Sequence, residues 1–240
     1  MKPSCSRMRG FTLIETVLAI GVLAVLLTGF MVVFAPAAAG IRKSLNVQEA
    51  DRLATTVEQE LVTVRPGQAP AVTTGFAKAF DWIKNSNTAG TALLVYQYRG
   101  SLTSVRADGT PEPVPTVTNK QAGKDYVLVP MVRRATGDAN FTTDLAALEG
   151  GVYLVKCTQL VFSGGYLKTG TAGTIVDTKG VVAGTTDAYA EAVIAVAADF
   201  YTLPAKSAAF FTSGFTTTFG KALPAGPQKP VFSRNLAVRR

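Results

Sequence analysis

The sequence contains no histidine and only two cysteines among its 240 residues. Without histidine, the Ser-His-Asp and Cys-His arrangements that activate a catalytic nucleophile are impossible. A zinc site would have to be built from carboxylates and a lone thiol, because cysteine and histidine are the usual zinc ligands. Most routes to hydrolytic catalysis are therefore closed, and the chain is interpreted as non-enzymatic and without a cofactor.

The two cysteines supply no metal-ligand spacing. Cys5 lies in the N-terminal segment and Cys157 lies in a strand-like run. Cys5 is not a lipoprotein anchor, because the apolar region follows it instead of preceding it. If the N-terminal segment is removed, one thiol remains and an intramolecular disulfide cannot form. Cys157 is predicted to be a small core residue.

The formal net charge of +8 comes from the two ends of the chain. The terminal bases are Lys2, Arg7, Arg9, Lys221, Lys229, Arg234, Arg239 and Arg240. The other 16 basic residues are balanced by 16 acidic ones. Because a nucleic-acid-binding surface needs Lys and Arg clustered within the folded domain, no nucleic-acid partner is expected. The basic C-terminal end is interpreted as a solvated tail, although contact with an anionic partner stays open.

A basic start is followed by a long apolar run. No charged residue lies between Thr16 and Ile41, and this stretch exceeds the ~20 residues that an α-helix needs to cross a bilayer. A secretory signal peptide has a shorter apolar region of about 7–15 residues. A plain signal anchor fits the length but leaves Glu15 unexplained, because a carboxylate near the start of a membrane span is costly and usually functional.

The segment from Arg9 to Glu15, RGFTLIE, resembles the cleavage signature of type IV prepilins and of the pseudopilins of type II secretion. In that family a membrane aspartyl peptidase cuts after a glycine, and the new N-terminal residue, typically Phe, is N-methylated. A glutamate at the fifth position of the mature chain is typical as well. The resemblance implies cleavage between Gly10 and Phe11, methylation of Phe11, and Glu15 as that fifth residue.

Glu15 and the new N-terminus form a predicted charge pair for assembly. Cleavage before Phe11 creates an ammonium group about one helical turn, or ~6 Å, from Glu15. A neighbouring subunit shifted along a filament axis would place its ammonium against this carboxylate, which relieves the cost of either charge in an apolar medium. An out-of-register subunit would leave a buried charge unpaired. The alternative is that Glu15 merely reaches the membrane interface.

The helical pattern continues beyond the membrane span. The apolar positions that recur at spacings of three or four are Ile41, Leu45, Ala50, Leu53, Ala54, Val57 and Leu61. Charged residues lie between them, as expected for an amphipathic helix. Pro66-Gly67 should end a helix that runs from Phe11 to Val64, and Pro36 should kink or locally melt it.

The remainder predicts an α+β head, with a small antiparallel β-sheet packed on the long N-terminal α-helix. GFAKAFDWIKN at 75–85 predicts a short helix with Phe76, Phe80 and either Trp82 or Ile83 in the core. About four strands are predicted, at 92–99, 125–133, 152–162 and 192–203. A helix is predicted at 141–149, opening near Thr142 or Thr143, and residues 164–184 predict a loop or irregular hairpin. The predicted division is a leader (1–10), a membrane or filament-core helix (11–41), an amphipathic half (42–65) and the head (66–240).

Several further residues are candidates for chemistry. Asp138 and Asp144 form a possible acid-base pair, although acids on loops are usually only solvated. Asp177 and Asp187 flank a Gly/Thr-rich loop, but no dense run of oxygen ligands favours calcium there. Asn140 begins a glycosylation triplet, which is weak evidence by itself. The aromatic side chains of the tail, Phe210, Phe211, Phe215 and Phe219, are expected in the core.

The resemblance to prepilins implies a structural subunit of a type IV pilus or a type II secretion pseudopilus. The resemblance implies a prepilin peptidase/methyltransferase, other pilins or pseudopilins, and an inner-membrane assembly platform as partners. The basic leader should stay in the cytoplasm and place the head in the periplasm or beyond. The mature chain of 230 residues is larger than major subunits of the family commonly are, and its ending resembles minor, J-type pseudopilins. The alternative is a single-pass membrane-anchored receptor for DNA or a secreted substrate that does not polymerise.

Overall fold

The computed structural model describes residues 12–67, 72–88, 91–115, 121–134, 138–203, 210–211 and 229–240. The chain divides into two compact units, Met1–Leu45 and Asn46–Arg240. The predicted leader, with Gly10 and the adjoining Phe11, lies outside the described residues. Phe215 and Phe219 lie outside them as well.

Helix α1 runs from Leu13 to Val62 and is the main element of the first unit. Every residue from Thr12 to Leu45 is exposed. The predicted local melting at Pro36 is wrong, because the helix continues through this residue. Its end at Val62 precedes the predicted end at Val64.

The last part of α1 belongs to the second unit and contributes one apolar face to its core. The buried apolar residues of this face are Ala50, Leu53, Ala54, Val57 and Leu61. Their spacing of three and four residues places them on one side of the helix. The predicted apolar face extended too far toward the N-terminus, because Ile41 and Leu45 are exposed.

Helix α2, Gly75–Asn85, confirms the short helix predicted from the sequence. The side chain of Thr74 caps it by accepting a hydrogen bond from the backbone N–H of Ala77 at 3.1 Å. Such a cap satisfies an amide that the helix itself leaves without a partner. Its buried apolar side chains, Phe76, Ala79, Phe80, Trp82 and Ile83, join the same core as α1.

The head contains a seven-stranded antiparallel sheet, where about four strands were predicted. The strands are β1 (Leu93–Val105), β2 (Pro111–Pro113), β3 (Val127–Arg134), β4 (Leu148–Ser163), β5 (Tyr166–Thr169), β6 (Val193–Thr202) and β7 (Phe232–Arg239). The order along the sheet is β2-β1-β4-β6-β7, with β3 paired to β1 and β5 paired to β4. The antiparallel sheet and the long N-terminal helix confirm the predicted α+β class.

Apolar side chains cover both faces of the sheet. One face packs against α1 and α2, and Cys157 is buried there as predicted. The other face packs against helix α3 (Ala139–Asp144), a following 3₁₀ turn (Leu145–Ala147), and Phe211. Helix α3 begins before the predicted start near Thr142, because Asp138 caps it through the N–H of Asn140. The expected core position of Phe211 is confirmed by an edge-on contact with Phe141 at 5.0 Å between ring centres.

Glu49 joins α1 to β4 beside Gly150, a residue near the start of that strand. Its carboxylate accepts hydrogen bonds from the N–H of Gly151 at 3.0 Å and from the hydroxyl of Tyr153 at 2.8 Å. Burial, together with the neighbouring Glu49, raises the pKa of Tyr153 above its ordinary value. Gly150 has a φ of 77°, and a Cβ placed there would overlap the Glu49 carboxylate.

We expect Gly150→Ala to lower the free energy of unfolding by about 2–4 kcal/mol, through left-handed backbone strain and displacement of Glu49. The measurement is urea unfolding of the processed protein in detergent micelles. Gly109→Ala is the matched control, because Gly109 has the same φ of 77° and nothing within 4 Å of its added Cβ. Equal losses in the two variants would show that Glu49 makes no contribution.

Candidate functional site

The first turn of α1 places Glu15 beside Thr12. The backbone N–H of Glu15 lies 3.1 Å from the carbonyl oxygen of Thr12 and 3.3 Å from its hydroxyl. Thr12 thereby caps the helix, since threonine oxygen is a favoured acceptor for an amide of the first turn. The Glu15 carboxylate is exposed and lies at the positive end of the helix dipole, which favours its negative charge.

The residues behind Glu15 form an apolar surface without a partner in the described part of the chain. An 18-residue window of α1 has a mean hydropathy of 2.8 and no buried residue. By length and composition, α1 is the one described helix able to cross a membrane. The hydroxyls of Thr16 and Thr28 donate to the carbonyls of Leu13 and Ala24, each at 2.8 Å. These bonds satisfy the polar side chains within the helix, as an apolar medium requires.

Glu15 is the sole ionisable side chain between Thr12 and Ile41. It occupies the predicted place at the head of the apolar run, one turn from the predicted new N-terminus. Because Gly10 and Phe11 lie outside the described residues, the cleavage site and the charge pair stay predictions.

The acids considered for catalysis instead surround a buried arginine. The guanidinium of Arg133 on β3 contacts Asp144 at 2.8 Å, Asp138 at 3.0 Å and Asp108 at 3.1 Å. The Asp144 carboxylate also accepts from Arg106 at 2.6 Å and from the hydroxyl of Tyr96 at 2.5 Å. These contacts join α3 to β1, β3 and the turn before β2. Asp138 and Asp144 thus bind structural arginine side chains.

Within this network, the ionised form of the Asp108 carboxylate is stabilised. Burial by itself raises the pKa of Asp108, but hydrogen bonds from Thr110 and the charge of Arg133 bring it down to about 2. The oxygen Oδ2 of Asp108 also accepts from the side-chain amide of Asn140 at 2.9 Å. The amide of the candidate glycosylation triplet is therefore engaged in the same network.

A second buried charge cluster lies at the end of α1. Lys78 of α2 donates to Glu60 at 2.8 Å, and Arg65 contacts the same carboxylate at 2.9 Å. Burial lowers the pKa of Lys78 to about 8, although the attraction of Glu60 acts in the opposite direction. Sequence reasoning missed this cluster. The available signal was the position of Lys78 between Phe76 and Phe80, two residues predicted to lie in the core.

Asp177 and Asp187 do not form a metal site in the structure. The Asp177 carboxylate accepts from the backbone N–H groups of Lys179 at 2.9 Å and Val181 at 2.8 Å, and so stabilises a turn. Asp187 is exposed. Among the described residues, no three Cys, Asp or Glu side chains form a group able to hold a metal ion.

Comparison with known proteins bears on the N-terminal segment. No curated protein matches the chain, and no solved structure matches it. Residues 5–31 match the family model of the prokaryotic N-terminal methylation motif. This range contains Gly10, Phe11 and Glu15 together with much of the apolar run. The chain therefore carries the prepilin-type N-terminal methylation motif, which belongs to pilin-type structural proteins.

Proposed function

We propose that this chain is a non-enzymatic structural subunit, a minor pilin or pseudopilin, of a type IV pilus or a type II secretion pseudopilus. The observation that carries the proposal is the methylation motif at residues 5–31, followed by an exposed apolar helix with Glu15 in its first turn. The resemblance of residues 232–240 to J-type pseudopilins supports the minor role.

In the proposed order of events, the unprocessed subunit is first inserted into the inner membrane. The basic leader, residues 1–10, stays on the cytoplasmic side, since positive residues before a span resist translocation. A prepilin peptidase then cuts between Gly10 and Phe11, and Phe11 receives a methyl group. The head faces the periplasm or the exterior. Extraction of the helix into a filament replaces lipid around its apolar surface by other pilin helices.

The proposed charge pair gives this assembly its register. The Phe11 ammonium of one subunit meets the Glu15 carboxylate of a neighbour. Glu15 lies in a run without another ionisable side chain, so a misplaced neighbour leaves its charge uncompensated in an apolar environment. Such an uncompensated charge costs several kcal/mol by order of magnitude, which selects the correct axial offset between helices.

Mass spectrometry of the protein purified from membranes tests the processing step. We expect a mature chain that begins at Phe11 and carries one methyl group on its terminal amine. Gly10→Val is expected to abolish cleavage, because the family's peptidase cuts after glycine. Gly21→Val, within the span, is the matched control, since a Cβ there meets nothing within 4 Å. An intact Met1 in the wild-type protein would overturn the proposal.

A further inference from the structure

Strand β7 forms one edge of the head sheet. It pairs antiparallel with β6 over eight residue pairs, from Val193↔Arg239 to Phe200↔Phe232. It stands last in the strand order. Among the described residues no strand pairs with its other side. The C-terminal segment interpreted from sequence as a solvated tail is therefore an ordered edge strand.

The backbone alternation of β7 shows which groups face the open edge. The N–H of Arg240 donates to the carbonyl of Ala192 beside β6 at 2.8 Å. In an antiparallel pair successive residues turn their N–H and C=O groups to opposite sides. The even-numbered residues of β7 consequently bond to β6. The residues that present both backbone groups to the open edge are Ser233, Asn235, Ala237 and Arg239, and all four are exposed.

Proteins protect edges with proline, bulges, short strands or charged side chains. Of these devices β7 has only the charged side chains, Arg234 and Arg239, which oppose a basic partner and not an acidic one. Strand β7 contains no proline and pairs with β6 without a register shift. By contrast, β3, which pairs with β1 alone, carries Pro130 in its middle. An open edge of this length offers backbone hydrogen bonds to an extended peptide.

Basic side chains determine which kind of peptide fits. Arg234 and Arg239 belong to β7, and Arg240 follows it. Arg234 has a loose contact with Asp51 at 3.8 Å. Arg239 is exposed, makes no ion pair among the described residues, and lines an open groove of about 440 Å³ with Asp187. The segment from Lys229 to Arg240 contains no acid, so the edge is complementary to an acidic strand.

We propose that the open edge of β7 binds an extended acidic segment of another protein as an added antiparallel or parallel strand. A second copy of β7 is a poor occupant, because two such edges would bring their arginines together and like charges across a strand pair repel. The proposal goes beyond filament assembly and does not depend on it, since the site lies on the head and needs neither cleavage nor Glu15.

Peptide binding to the processed full chain in detergent micelles tests the proposal. The probe is a fluorescent peptide as long as β7 with alternating glutamate and valine, and its counterpart has lysine in place of glutamate. We expect saturable binding of the acidic peptide only. Hydrogen exchange should slow at the outward amides of Asn235 and Ala237, whereas the amides of Leu236 and Val238 are already protected by β6.

Two variants and one control variant separate strand addition from general charge attraction. Ala237→Pro removes an outward N–H and leaves the bonds to β6, so the affinity should fall about tenfold or more. Ala237→Val keeps that N–H and should retain binding. Arg239→Glu should lower the affinity for the acidic peptide about tenfold and raise the affinity for the lysine peptide.

If Ala237→Pro disturbs the hydrogen bonds between β7 and β6, the Arg239→Glu variant and the hydrogen-exchange pattern remain the deciding test. Absence of binding, or binding without protection of the outward amides, would overturn the proposal.

Discussion

Replacing Arg133 by methionine is expected to lower the free energy of unfolding by about 3–5 kcal/mol, which is the usual cost of breaking a buried ion pair from one side. Arg133 is 2% exposed and contacts Asp108, Asp138 and Asp144. Without its guanidinium, Asp108 and Asp138 lose their arginine partner, and Asp144 keeps only Arg106. The measurement is urea unfolding of the processed protein in micelles, followed by the fluorescence of the single tryptophan, Trp82.

Two further variants make the Arg133 result specific. Lys124→Met removes an exposed cation and should change stability by less than about 0.5 kcal/mol. Arg133→Lys keeps the charge but not the planar donor set that reaches three carboxylates, so an intermediate loss is expected. If Arg133→Met lowers the free energy of unfolding by less than about 1 kcal/mol, the head is stabilised mainly by its apolar core and not by this network.

Glu15→Gln is expected to leave cleavage intact and to reduce cross-linked oligomers in membranes about tenfold or more, because each subunit contact loses an ion pair in an apolar medium. The amide keeps nearly the shape of the carboxylate, so helix packing is preserved and only the charge is lost. Oligomer ladders after chemical cross-linking, together with the mass of the mature chain, give the two readouts. Glu112→Gln, on the exposed surface of the head, is the charge-matched control.

The possible ladder patterns distinguish the proposed roles. Unchanged ladders in processed Glu15→Gln protein would contradict the charge pair while leaving filament formation in place. If the wild-type protein itself gives only monomers, the chain acts as a single-pass anchored binding protein that does not polymerise. The loss of ladders together with intact processing would support both the filament role and the register function of Glu15.

Sequence patterns alone predicted those elements whose stabilising contacts lie within one short segment of the chain. Helix α2 was predicted with its observed bounds, Gly75–Asn85, because its apolar spacing and its Thr74 cap lie within one short segment. The apolar run behind Glu15 was equally visible, since a membrane span is set by composition over consecutive residues. The α+β class followed from a long helical pattern ahead of alternating strand-like runs.

Distant pairing explains the elements that were missed. Strand β7 is rich in polar and basic residues and resembled a tail. It is a strand because Leu236 and Val238 enter the core while its backbone pairs with β6. From the sequence, Asp138 and Asp144 resembled solvated acidic residues on loops. No sequence pattern indicates that Arg133 is their partner. Asp108 lies 25 residues from that arginine, and only folding brings the two together.

The sequence by itself identified the N-terminal methylation motif and the apolar run that follows Glu15. A motif in which Gly10, Phe11 and Glu15 hold a fixed spacing before an uncharged span is read residue by residue, so no tertiary contact is needed to recognise it. The tertiary structure decided which charges are structural and which are available. It buried Arg133 among three aspartates and left Arg239 on an open edge, because burial and pairing depend on neighbours that are distant in the chain.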